Sequence, residues 1–299
     1  MPATQESRIA ESPSRESNSG AGVLYVVNSG PPYSFSAYTL PLHSREVPTL
    51  KSTSPNEPVP LAQGSDNLYV GSFTNGVIAT FPLPLKPSTS VSDVAQGDVA
   101  GGFLSGLGDM TGLAVNRDYL YAAGLANNDI GTVFEYRLPL VDGEQPSGSL
   151  TASEPGDYLA VATHHSTLFV AATFAGTISA YSLPLRKNEQ PEYTIPTTPD
   201  AHGGDGIAVS PDARYLYVSI VDTRDVYQYT LPYHDGDQPT KLDVTSQTGQ
   251  PPNSVTVRGD RLFVSAGQIA AYKIPITSSS KPTAKLWFDG VAAGLATSN

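Results

Sequence analysis

Six positions that share one register carry the residue types best able to do chemistry. They are Glu57 before Pro58-Val59, Thr111 before Gly112-Leu113, Asp157 before Tyr158-Leu159, Asp205 before Gly206-Ile207, Asn253 before Ser254-Val255, and Ala293 before Gly294-Leu295. Four of the six are Asp, Glu or Asn. Gathered around one axis, three carboxylates and an amide would face one another, and unpaired carboxylates raise one another's pKa. A calcium ion, with about six to eight oxygen ligands, relieves that repulsion with waters in the remaining places, and magnesium is the other hard cation suited to oxygen donors. Such an ion polarises a carbonyl or phosphoryl oxygen and leaves a place open for substrate. The competing reading is structural, because Asp and Asn often precede strands as turn caps.

Other side chains flank this ring. His202, in His202-Gly203-Gly204-Asp205, sits on the segment that delivers Asp205 and is the candidate acid or base. Asp109 lies on the loop expected before Thr111, and the two are candidate substrate-pocket residues. Asn127-Asn128-Asp129 and Asp222-Thr223-Arg224-Asp225 are expected in turns on the same side. His164-His165 is expected in a turn on the opposite face and is not counted as a metal site. No Ser-centred nucleophile elbow, phosphate-binding Gly loop or helical His pair occurs.

The common register comes from a repeat. The segment from Leu24-Tyr25-Val26 to Tyr38-Thr39-Leu40-Pro41-Leu42 recurs from Leu68, Leu120, Leu168, Leu216 and Leu262, at spacings of 44, 52, 48, 48 and 46 residues. These match a four-stranded propeller blade of about 40 to 50 residues. Within a unit, a short first strand such as Gly206-Ile207-Ala208-Val209 leads through a turn to the Leu-Tyr-Val strand. A third strand ends in Leu-Pro-Leu, where proline interrupts no ladder, and a fourth follows, as in Glu192-Tyr193-Thr194-Ile195. Glu57, Asp157 and Asp205 each precede the second-strand leucine by 11 residues, Thr111 and Asn253 by 9.

The two ends complete each other. Gly294-Leu295-Ala296-Thr297 matches a first strand with no second strand after it, and Val23 to Val27 is a second strand with no first strand before it. The expected fold is therefore all-β, a six-bladed β-propeller closed by pairing of the C-terminal strand with the N-terminal blade, which leaves no free radial edge. Nine of the 16 tyrosines fall at repeat positions and are expected in blade-to-blade packing, with Trp287 on an outer strand.

Composition narrows the partners. Gly and Pro make 53 of 299 residues, against long helices, and the net charge of -11 with 15% charged residues argues against a nucleic-acid partner. The absence of cysteine excludes disulfides, thiolate zinc and a Cys nucleophile. No apolar run reaches the roughly 18 residues of a membrane span, so a soluble protein, a monomer, is expected. Residues 1–20 are polar, lack a secretory hydrophobic run and are expected to be a disordered tail before a propeller over 21–299. The compartment stays open, extracytoplasmic if a leader is removed.

Two resemblances follow from these residues. Asp205-Gly206-Ile207-Ala208-Val209-Ser210-Pro211-Asp212, followed by Tyr215-Leu216-Tyr217-Val218, resembles blades of NHL and YVTN repeat propellers, a likeness covering residues 22–299. The ring of Glu57, Asp157, Asp205 and Asn253 resembles the calcium ring of the gluconolactonase and senescence marker protein family and of diisopropyl fluorophosphatase-like phosphotriesterases. There a Glu, two Asn and an Asp hold calcium and the Asp is implicated in catalysis. The resemblance implies that Glu57 stands for the Glu and Asp205 for the Asp. The chain departs from the family in Asn56-Glu57-Pro58, where Glu-Gly-Pro is usual, and in Asp157 and Thr111, where Asn is expected at one or both. Metal binding therefore transfers better than lactonase chemistry.

Two functional classes remain. One is a calcium-dependent hydrolase of a lactone, ester or phosphotriester, with Asp205 as nucleophile or general base. The other is a non-catalytic propeller that binds a protein or a surface ligand.

Overall fold

The computed structural model describes residues 22–31, 33–43, 48, 50–53, 58–73, 76–85, 107–126, 130–141, 145–155, 159–186, 189–197, 205–288 and 292–298. Glu57, Asp157, His202, Asn127, Asn128, Asp129 and the N-terminal segment 1–20 lie outside them.

Alternation in the Leu-Tyr-Val strand generates the packing. Successive side chains of a strand point to opposite faces, so Leu216 and Val218 enter the core shared with the preceding blade while Tyr217 enters the core shared with the next. The same division repeats around the ring, and each hydrophobic cluster draws on two adjacent blades. The core thus lies between blades rather than on the axis. The six repeat leucines, Leu24, Leu68, Leu120, Leu168, Leu216 and Leu262, are all 0% exposed.

These faces assemble a six-bladed β-propeller, five sheets of four strands and one of three among the described residues. The first blade orders Ala292–Thr297, Val23–Asn28, Ser34–Thr39 and Leu50–Thr53 from the axis outward. The second blade holds Pro58–Gln63, Asn67–Ser72 and Ile78–Pro82; the third Leu107–Asn116, Tyr119–Ala126, Ile130–Arg137 and Gly148–Pro155. The fourth holds Leu159–His164, Thr167–Ala172, Thr177–Ser182 and Tyr193–Pro196, and the fifth Gly206–Val209, Tyr215–Ile220, Asp225–Thr230 and Thr240–Asp243. The sixth holds Ser254–Arg258, Arg261–Ser265, Ile269–Lys273 and Ala284–Leu286. The six innermost strands touch in cyclic order.

The ends meet as expected. Ala292–Thr297 pairs antiparallel with Val23–Asn28, with Leu24 opposite Thr297 and Val26 opposite Leu295. Beyond the ladder, the Val23 amide donates to Ser298 Oγ at 2.8 Å. Among the described residues helix is confined to one short turn, Thr245–Thr248, and none is long and apolar enough to cross a membrane.

Neighbouring blades are also joined by buried polar latches. Glu135, 1% exposed, accepts the Leu185 amide at 2.8 Å across to the fourth blade and Ser147 Oγ at 2.9 Å within its own. Gln228 does likewise in the fifth blade, its Oε1 accepting the Ile276 amide of the sixth at 2.7 Å. Both stand immediately before a third-strand tyrosine, where Ala37, Ala180 and Ala271 stand in other blades.

Three sequence expectations shift. Asp109 belongs to the strand Leu107–Asn116 rather than a loop, where register shifts on either side of Met110 accommodate it. Asp225 opens the third strand of its blade, buried and ion-paired with Lys241 at 2.8 Å, instead of lying in a turn. Trp287 falls just past Ala284–Leu286, where the short outer strand has ended, and is 75% exposed.

Candidate active site in the central channel

The six innermost strands enclose a cavity of about 390 Å³ on the propeller axis, to which every blade contributes. Closure around the axis requires the backbones to come close. A Cβ on Gly206 would lie 2.8 Å from Ser254 Cα, and one on Gly112 would lie 2.9 Å from the Leu159 carbonyl oxygen, so glycine is what lets these adjacent inner strands meet.

The register read from the sequence reappears on the wall. Thr111, Asp205, Asn253 and Ala293 all line the cavity, one from each of four blades. Two residues further along each inner strand stand Val59, Leu113, Leu159, Ile207, Val255 and Leu295, six aliphatic side chains in one layer on the same wall. Five of these six, all but Val59, also pack into the cores between blades. The cavity therefore has a polar mouth and an aliphatic throat.

The polar residues differ in what they have left to offer. Thr111 Oγ1 donates to the Leu159 carbonyl at 2.8 Å and receives the Leu159 amide at 3.3 Å, so its hydroxyl ties the third blade to the fourth. Asn253 is anchored through its backbone amide, which donates to the Ser265 carbonyl at 2.8 Å. The next residue, Ser254, accepts the Leu295 amide on its hydroxyl at 3.3 Å. Asp205 donates its own amide to the Ser219 carbonyl at 3.0 Å and accepts the Val221 amide on Oδ2 at 3.1 Å. No described Lys, Arg or His forms an ion pair with its carboxylate.

Asp205 is the one charged residue among the described lining residues. Its carboxyl opens to the mouth yet is crowded by the channel wall. Loss of hydration pushes its pKa up to about 6; the Val221 amide opposes this and the nearby Asp222 carboxylate adds to it. At neutral pH it is mostly ionised and still close enough to its midpoint to exchange a proton.

Among the other expected site residues, Asp109 is half-buried and is not among the lining residues. His164 and His165 stack edge to face with centroids 4.1 Å apart in the turn between first and second strands, away from the cavity. Among the described residues no three His, Asp or Glu side chains gather into a metal cluster. Phe73 and Thr173, which follow second strands, also line the mouth and escaped the sequence reading. Their common place after a second strand was the available signal.

No family model and no curated protein matches the chain. Solved structures share its fold. A chain of the nidogen–laminin complex superposes with a TM-score of 0.64 at 12% identity, over 93% of this chain and 98% of that one. A protein from Bacteroides fragilis, provisionally named a 6-phosphogluconolactonase, gives 0.57 at 17% identity over 93% and 84%. Another from Bacteroides uniformis, with the same provisional name, gives 0.54 at 16% identity over 92% and 85%. At these identities the likeness is one of fold.

Proposed function

We propose that the channel mouth is a small-molecule site at which a cation assists hydrolysis of a lactone, ester or phosphotriester. The observation that carries this reading is the convergence of Thr111, Asp205, Asn253 and Ala293, from four blades, on one cavity. Asp205 supplies a carboxylate free of described cationic partners and Asn253 an amide oxygen, donors of the kind a hard cation takes. Glu57 and Asp157 join them in this proposal by register alone. Thr111 does not, since its hydroxyl is spent on Leu159. Calcium held there, or magnesium in its place, would polarise the carbonyl or phosphoryl oxygen of a substrate.

The chain's own groups do the rest. Asp205 is ionised at neutral pH, the more so beside a cation, and serves as nucleophile or as base toward water. His202 is the proposed partner for proton transfer, and the aliphatic throat keeps bulk water from the apolar portion of the substrate. The provisional names of the two Bacteroides neighbours make lactones the first chemistry to try. The described wall offers no Lys, Arg or His for a phosphate, so uncharged lactones come before phosphorylated ones.

The test is turnover of lactone, aryl ester and phosphotriester panels in calcium and in EDTA. Activity should vanish in EDTA and fall at least about hundredfold in Asp205→Asn. Full activity in that variant would remove Asp205 from the mechanism. A second reading, a propeller that binds a protein partner, draws support from the match to a chain of the nidogen–laminin complex along 98% of its length. It expects silence across every panel.

A further inference from the structure

The mouth and the throat set different requirements, and a metal ion meets only the first. Asp205, exposed at the mouth, is the one charge among the described lining residues; its Oδ2 accepts the Val221 amide, and no described Lys, Arg or His pairs with it. A carboxylate without a cationic neighbour pairs favourably with an N–H cation through a charge-assisted hydrogen bond. Below it, Val59, Leu113, Leu159, Ile207, Val255 and Leu295 line the cavity with one residue from each blade; Val59 is half-buried, and the other five pack mainly into the interblade cores and present an apolar edge to the channel. A hydrated divalent ion gains nothing from that surface. An alkyl or aryl group gains about 0.8 kcal/mol per buried methylene.

We infer that the channel binds an amphiphilic organic ammonium, its cationic nitrogen at the Asp205 carboxylate and its apolar arm in the aliphatic throat. Asn253 stands at the same register to accept a second N–H, and the Phe73 ring on the mouth wall is of the type that attracts an ammonium to its face. The cavity, about 390 Å³, lies within the range of small-ligand sites. The net charge of -11 draws cations toward the protein as a whole. The inference rests on the reading of the channel as a small-molecule site, and neither calcium nor hydrolysis enters it.

The experiment is calorimetric titration of the EDTA-treated full chain with butyl-, hexyl- and octylammonium chloride, with hexanoate and hexan-1-ol as matched probes. Affinity should rise about threefold to fourfold per added methylene until the throat is full. Hexylammonium should bind at least about tenfold tighter than hexanol, with hexanoate weakest. Asp205→Asn should erase the advantage of the ammonium over the alcohol. Val59→Thr, at the half-buried member of the layer, should flatten the chain-length dependence. Absence of alkylammonium binding, equal binding of hexanoate, or an unaffected Asp205→Asn variant would overturn the inference. Alkylammonium binding with silent hydrolase panels would support it and remove catalysis alone. Turnover without alkylammonium binding would overturn it and leave hydrolysis standing.

Discussion

The blade bodies and the channel mouth are built from the same sixfold repeat under opposite rules. In the bodies one residue type recurs: the second-strand position is leucine in every blade, 0% exposed each time. At the mouth the described residues of one register are Thr111, Asp205, Asn253 and Ala293, each of a different type. Packing against a neighbour poses the same problem six times and receives the same answer. The mouth faces a shared space in which each blade can contribute something different. Symmetry is thus kept where blades pack on one another and lost where they face the shared channel.

The comparison breaks most visibly in the body. Leu216→Ala removes a fully buried side chain between the fourth and fifth blades and should cost about 2–5 kcal/mol, measured by denaturant unfolding. A cost below about 1 kcal/mol would mean that the interblade core is loosely packed. Glu135→Ala tests a polar exception within the body. It leaves the buried Leu185 amide without its acceptor and should cost about 1–3 kcal/mol. A neutral outcome would show that water replaces the latch.

The mouth should respond with the opposite sign. The Asp205 carboxyl has its folded-state pKa raised from 3.8 to about 6, so the native state holds a proton that the unfolded state has released between those values. Stability from this group is complete below pH 3.8 and lost as the pH rises through about 6. Asp205→Asn, which imitates the protonated form, should therefore stabilise the metal-free protein at pH 8. With the open face of the carboxyl discounting the effect, the gain is about 1 kcal/mol, or about 2 °C in Tm. It should fade toward pH 4. An equal gain at both pH values would show that the carboxylate bears no penalty at the mouth.

The same contrast explains how much could be read in advance. Leu-Tyr-Val and Leu-Pro-Leu recur because every blade needs them, so blade number, strand order and the pairing of Gly294-Leu295 with Val26-Val27 were legible. The mouth register was legible as a consequence, and Thr111, Asp205, Asn253 and Ala293 share the channel. What each side chain does there was not. The Thr111 hydroxyl is spent on Leu159, 48 residues away, and Glu135 latches Leu185, 50 residues away. Both interactions arise only when two blades are docked. Asp109 reads as a loop residue because an irregular strand such as Leu107–Asn116 has no clean alternation to show.

Calcium titration of the EDTA-treated protein, followed by calorimetry beside Glu57→Gln combined with Asp205→Asn, tests most directly whether the asymmetric ring is a cation-assisted active site. Saturable binding of one ion per chain, abolished in the double variant, is the result this account expects. Absence of binding, or binding that survives both substitutions, would contradict it.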